Sequence, residues 1–232
     1  MRKEAIPLSD MVKLARFSFL TAGPTIVFHL PADFDETPEL SSPVANPNGA
    51  RSVDFLPLRR DFTDLEGYSL SRTFIDAFGG AVHVYRWPFE PAQWFLRWRL
   101  SSGSVWTHLR EEDGEEMADL IVGCLTVIEE EDTHLPFVLI EAPLRRAVSS
   151  RPGYQEFASF FSPMRPEWSV TFLRPSYLSE GEIVVKPDGR QAVVRVGCPL
   201  GLEAQVVAGS DAEGARSFAE SICGSVVEAA TL

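Results

Sequence analysis

The sequence predicts an α+β protein of two repeated units. Each is an antiparallel sheet covered by a C-terminal amphipathic helix, and the two pack as a pseudo-dimer. Three observations predict this. From Trp94 to Glu130 the chain reads as strand, turn, short strand and amphipathic helix. The same pattern returns 98 residues later, from Ala192 to Glu228, without a gap. Upstream, Pro24 to Pro31 and Pro136 to Pro143 each enclose an apolar strand between two prolines, at a shift of 112. The expected organisation is an N-terminal helix over 1–23, a first repeat over 24–132 and a second over 133–232.

Each element has a local reason. Ser9 caps a short helix through Met11, Val12, Leu14 and Ala15, stopped by Ala22-Gly23-Pro24. Thr25 to Leu30 is rich in β-branched and aromatic residues and predicts a strand. Residues 35–48 are polar, contain Pro38, Pro43 and Pro47, and predict a long loop. Arg51 to Leu58, Tyr68 to Phe74 and Ala81 to Trp87 predict strands, with Gly79-Gly80 turning the last two.

In the next strand Trp94, Leu96, Trp98 and Leu100 share one face and Phe95, Arg97 and Arg99 the other, the alternation of a half-buried strand. Asp113 and Glu116 open a helix, and its apolar stripe runs Met117, Leu120, Ile121, Cys124, Leu125 and Ile128. Phe137 to Ile140 predicts a strand, Tyr154 to Phe161 a short helix, and Trp168 to Leu173 and Glu182 to Lys186 further strands, the last followed by the turn Pro187-Asp188-Gly189. Ala192 to Val196 is the returning strand. Ser210 and Glu213 form a capping box before the stripe of Ala215, Phe218, Ala219, Ile222, Cys223 and Val226.

The Pro-strand-Pro openings, the paired central strands and the terminal capped helix together resemble a tandem PsbP-like α/β sandwich, an antiparallel sheet covered by helices. The resemblance covers most of both halves and has no diagnostic motif. It implies a fold whose members act mostly as binding or assembly factors, one branch resembling chaperones for secreted bacterial effectors.

A net charge of −12 over 232 residues disfavours nucleic acid, whose phosphates call for a basic face, and anionic lipid likewise. No apolar run is long enough for a membrane span, and the N-terminus lacks a signal-peptide core. Cys124, Cys198 and Cys223 are odd in number and widely spaced, which predicts free thiols in a reducing, cytoplasmic setting.

Motifs for chemistry are sparse. His29, His83, His108 and His134 stand apart without ligand-like spacing, and no Cys-x-x-Cys, phosphate loop or nucleophile elbow occurs. Ser101, Ser102 and Ser104 around Gly103 fit turn chemistry. The acid runs 111–116 and 129–132 read as solvated surface. Four of five tryptophans, Trp87, Trp94, Trp98 and Trp106, fall within twenty residues. The core accounts for the Trp94/Trp98 face, and the opposite face is the better binding surface.

The expectation is a non-enzymatic binding protein, an adaptor or chaperone, without a cofactor or metal. It would use a sheet face or a groove between the repeats. Its contact residues would be Trp87, Phe95, Arg97, Arg99, Trp106 and Arg195. The partner would be a protein offering a basic or apolar segment, and the chain a monomer or homodimer. The alternatives are a small-molecule enzyme with a pocket between the halves, built from Arg97, Arg195 or His83, and a structural subunit of a larger assembly.

Overall fold

A computed structural model describes residues 12–21, 23–46, 49–61, 68–75, 80–87, 93–109, 114–131, 133–147, 154–188 and 191–229. In chain order the strands are β1 (Val12–Phe17), β2 (Ile26–Pro31), β3 (Glu39–Asn46), β4 (Gly49–Pro57), β5 (Ser69–Ile75), β6 (Ala81–Trp87), β7 (Gln93–Arg99) and β8 (Gly103–Leu109). Helix α1 (Gly114–Cys124) follows, then β9 (Leu125–Glu129), β10 (Pro136–Ile140), β11 (Arg145–Arg146), β12 (Glu156–Phe161) and β13 (Ser169–Arg174). The chain ends with β14 (Ile183–Asp188), β15 (Gln191–Cys198), β16 (Leu202–Ala208), helix α2 (Ala212–Gly224) and β17 (Val227–Glu228).

The chain forms two compact units, one of 1–18, 23–38 and 157–232, the other of 19–22 and 39–156. In the first, β1-β2-β17 form one sheet, and β14-β15-β16-β13-β12 lie side by side in that order. Its core holds a cluster of Phe17, Phe28, Phe160 and Phe172, with ring centroids 4.7 to 6.4 Å apart. Helix α2 lies on β15 and β16 and buries Ala215, Phe218, Ala219, Ile222 and Cys223. Its N-cap is Asp211, whose carboxylate accepts from the Gly214 N–H at 2.9 Å, one residue after the expected Ser210.

In the second unit the order is β3-β4-β8-β7-β6-β5, with β11 beside β3 and a separate β9–β10 hairpin. The paired strands from β3 to β5 are antiparallel. One face of this sheet is core: Val53 and Phe55 of β4, Val105 and Leu109 of β8, Leu96 and Trp98 of β7, and Val82 and Val84 of β6 are buried.

The two-repeat fold class is overturned. Of the described residues 55% are strand and 14% helix, mostly antiparallel β rather than two helix-covered units. Only α2 covers a hairpin in the expected way; α1 touches β8 and β9. Three local expectations change with it. The part of the N-terminal helix that falls on described residues is strand β1, paired with β2. The Pro-rich loop contains β3, in which Leu40, Ser42 and Val44 alternate into the interior and the Pro43 carbonyl accepts from the Ala147 N–H. The helix expected at 154–161 is β12, whose Ala158 and Phe160 are buried.

The first apolar stripe also stops early. α1 ends at Cys124, and the β-branched run Thr126-Val127-Ile128 becomes β9. Asp113, Gly79 and Gly189 lie outside the described residues. Cys198 and Cys223 form a disulfide and Cys124 is free, which corrects the expectation of three free thiols. A closed disulfide removes the reason to expect a reducing compartment. Among the described residues no helix is long and apolar enough to cross a membrane.

Candidate partner-binding face

The second face of the β4-β8-β7-β6 sheet follows from strand alternation. With Leu96 and Trp98 committed to the core, Phe95, Arg97 and Arg99 must emerge opposite. Register then aligns them with neighbours on the same face: Phe95 pairs with His108 and Tyr85, Arg97 with Trp106 and His83, and Arg99 with Ser104.

Phe95 is the hub of an aromatic cluster. Its ring centroid lies 4.7 Å from His108, 5.2 Å edge-on from Tyr68 and 6.3 Å from Trp106. Trp106 in turn lies 6.3 Å from Tyr85. Phe95, Tyr68 and Tyr85 are half-buried and His108 is exposed, so the cluster presents ring surface to solvent. Separations of this size and tilted or edge-on geometry are what aromatic quadrupoles favour.

Beside the rings, on the same face, lies a buried polar anchor. Asp61 accepts from Arg97 Nη2, from Ser104 Oγ at 2.7 Å and from Trp106 Nε1 at 2.9 Å. Arg97 Nε also donates to Ser104 Oγ at 2.9 Å, and the guanidinium sits 4.8 Å from the Trp106 ring centre. Both charged side chains are nearly inaccessible, at 9% for Arg97 and 3% for Asp61. A buried pair of this kind is tolerable only where further hydrogen bonds support it; here Asp61 takes three donors, and Arg97 Nε and Nη2 each have an acceptor. The network fixes the Trp106 indole and so holds the cluster at that ring.

At the β4 edge of the face burial pushes the Asp54 carboxyl above its ordinary value, and hydrogen bonds from Ser41 and Ser52 do not offset it. Burial also raises Glu39; Arg60, 2.7 Å away, opposes the shift and the charge of Asp54 adds to it. Asp54, opposite Trp106 in the register, therefore puts a carboxyl with a raised value beside the aromatic cluster, and Glu39 lies one strand further out on β3.

Of the expected contact residues, Phe95, Arg97, Arg99 and Trp106 share this face. Among these four only Arg99 is exposed; Phe95 is half-buried, and Arg97 and Trp106 are buried and hold the cluster in place. Trp87 ends β6, and its side chain lies outside the described residues. Arg195 belongs to the other unit. There it makes a bidentate bond to the buried Glu203, with Nη2 to Oε2 at 2.8 Å, and its guanidinium lies 5.9 Å from the Tyr177 ring centre. Sequence reasoning missed Asp61 and Asp54. Asp54 was visible as a carboxylate alternating with Ser52 and Leu56 on one strand face; Asp61 sits 36 residues from Arg97 and left no local signal.

No protein-family model, curated protein or solved structure matches this chain.

Proposed function

We propose that the chain is a non-enzymatic binding protein, an adaptor or chaperone, that takes a protein partner on the aromatic face of β8, β7 and β6. The observation that supports this is the cluster of Phe95, Tyr68, Tyr85, Trp106 and His108, held at Trp106 by the Asp61–Arg97 pair on the same face. Tyrosine, tryptophan and arginine at a rigid, partly desolvated surface are the usual anchors of recognition. A chain with a net charge of −12 favours a partner whose segment is apolar or basic.

The test is affinity capture from the source cell with the wild type and with a Phe95→Ser/Arg99→Glu double variant. Arg216→Ala on α2 serves as control. A specific protein captured by wild type and control, and lost with the double variant, is the expected result. Capture that the double variant leaves intact overturns the reading.

A small-molecule enzyme is the second reading, favoured by Asp54 and Glu39. Neighbouring carboxyls with raised values, one of them held by serine hydroxyls, are a familiar setting for general acid–base work. Copurification of a stoichiometric metabolite that Asp54→Asn releases, with no protein captured, decides for it.

A further inference from the structure

Strand β5 is the last strand of its sheet, and among the described residues nothing pairs with its outer edge. Natural edges are blunted by charge, proline or bulges. β5 has one irregularity, between Leu70 and Arg72, and one charged side chain. It leaves Leu70 56% and Ile75 67% exposed. Register places Leu70, Thr73 and Ile75 opposite Tyr85, His83 and Ala81, and so on the aromatic side of the sheet. Arg72 and Phe74 point to the other side.

On that other side lies a cavity of about 410 Å³, lined by Arg72, Phe74 and, at the very end of the strand, Ile75 of β5, with Asp119, Val122 and Gly123 of α1, Thr126 of β9 and Glu141. No residue of β6 or β7 lines it, so it sits at the margin of the sheet, beside the open edge. Its charged lining is unequal. Arg72 is already 3.3 Å from Asp119, which leaves Glu141, exposed, as surplus negative charge. A strand added to β5 would make main-chain hydrogen bonds along the edge. Its alternate side chains would fall over the aromatic face and into this cavity, the two requirements of recognition by strand addition.

We propose that β5 receives an extended, basic segment of a protein partner as an added strand, with a lysine or arginine side chain seated in the cavity toward Glu141 and Asp119. This rests on the binding reading and gives it a mode and a partner chemistry.

Gly123 provides a clean test. A Cβ built on it meets nothing within 4 Å, so a side chain can start there without a backbone clash; Gly123→Leu puts apolar bulk into the cavity, and leucine favours helix over glycine. The probes are three fluorescent, capped ten-residue peptides titrated by anisotropy into the full chain. One alternates valine and lysine, one alternates valine and glutamate, and one is the lysine peptide with alternate amides N-methylated. The lysine peptide should bind, and the other two at least ten-fold more weakly. Gly123→Leu should weaken the lysine peptide at least ten-fold while leaving the melting temperature unchanged or higher. Glu141→Gln should narrow the preference for lysine over glutamate.

Because Gly123→Leu changes no charge, lysine-peptide binding that survives it is nonspecific attraction to an acidic chain and overturns the proposal. Absence of lysine-peptide binding overturns it also. So does a dimer of the chain in analytical ultracentrifugation that occludes β5, which would make a second copy the occupant. Should the natural partner be lost with the Phe95→Ser/Arg99→Glu variant but kept by Gly123→Leu, strand addition fails and the binding reading stands.

Discussion

The hairpin and helix β7–β8–α1 and the hairpin and helix β15–β16–α2 begin alike and end differently. Gln191 opens β15 98 residues after Gln93 opens β7, and the order strand, turn, strand, helix is the same in both. In the later region α2 comes down on its own hairpin. The β15 residues on its buried face are Ala192, Val194 and Val196, small enough for a helix to approach, and Cys198 is bonded to Cys223 of the helix. In the earlier region the corresponding strand residues are Trp94, Leu96 and Trp98. Two indoles fill space that a helix would take in a close-packed interior. There α1 touches β8 and β9 instead and leaves a cavity beside β5. One local pattern thus gives a closed region and an open one, and side-chain bulk on the first strand separates them.

The comparison extends to the arginines at equivalent strand positions, and substituting them should break it hardest. Glu203 is fully buried, and its recorded donors are Arg195 and the Tyr177 N–H. Arg195→Met strands that carboxylate and should cost about 3–5 kcal/mol. Arg97→Met leaves Asp61 with the Ser104 hydroxyl and the Trp106 indole as donors, so it should cost less, about 1–3 kcal/mol. Urea unfolding of the two variants measures the order directly. A larger loss for Arg97→Met would mean that the Asp61 network depends on the guanidinium more than its geometry indicates.

The disulfide sharpens the closed side. It joins the end of β15 to the last turn of α2 across 25 residues of sequence. Closing a loop of that length in the unfolded chain is worth about 3 kcal/mol. Cys198→Ala/Cys223→Ala should lower stability by that amount. Dithiothreitol should lower the wild type and leave the double variant unmoved. Cys124→Ala in the open region should change neither response.

How much of this the sequence disclosed depends on the range of the interaction. Alternation in Trp94 to Leu100 was enough to assign Phe95, Arg97 and Arg99 to the face opposite the core, because period two is a property of the strand alone. It could not reveal that Arg97 is buried, since its cover is Asp61, 36 residues away. The strand β3 was hidden by Pro38, Pro43 and Pro47, turn formers whose meaning changed once β4 and β11 offered pairing on both sides. The end of α1 was hidden because Leu125 and Ile128 continue the helical stripe as well as they fit β9; pairing with β10 decided it. Cysteine spacing does not encode connectivity, so the disulfide was illegible until the fold brought β15 and α2 together.

The turn glycines give a finer contrast, since Gly103 and Gly201 stand 98 apart and look interchangeable in sequence. Gly103 is needed for space: a Cβ there would lie 2.2 Å from the Leu56 carbonyl oxygen. Gly201 is needed for conformation, with φ at +67° and open space around it. Gly103→Ala should cost about 2–3 kcal/mol by forcing β4 and β8 apart. Gly201→Ala should cost about 1–2 kcal/mol, as a left-handed residue does. Asparagine tolerates the left-handed region, so Gly201→Asn should recover most of the loss and Gly103→Asn none. Equal rescue at both positions would show that one cause operates in both turns.

The smallest effect expected is in the acid limb of stability, where an aspartate from each unit acts in the opposite sense. At Asp33 burial raises the carboxyl, but hydrogen bonds from Arg165, at 2.8 and 2.9 Å, and from Ser162 outweigh it and hold the group below its ordinary value of 3.8. Its contribution is present above that value and is lost as pH falls through the folded value. At Asp54 burial prevails over the Ser41 and Ser52 hydrogen bonds, so the folded value lies above 3.8. Its contribution is complete below 3.8 and is lost as pH rises through the folded value. Asp54→Asn should therefore stabilise the protein at neutral pH and change little in strong acid. Asp33→Asn should destabilise it at neutral pH and likewise change little in strong acid. Urea midpoints of the wild type and both variants across the acid range test the pair. Parallel curves for the two variants would mean that the serines around Asp54 do what Arg165 does for Asp33, and the contrast between the carboxyls would disappear.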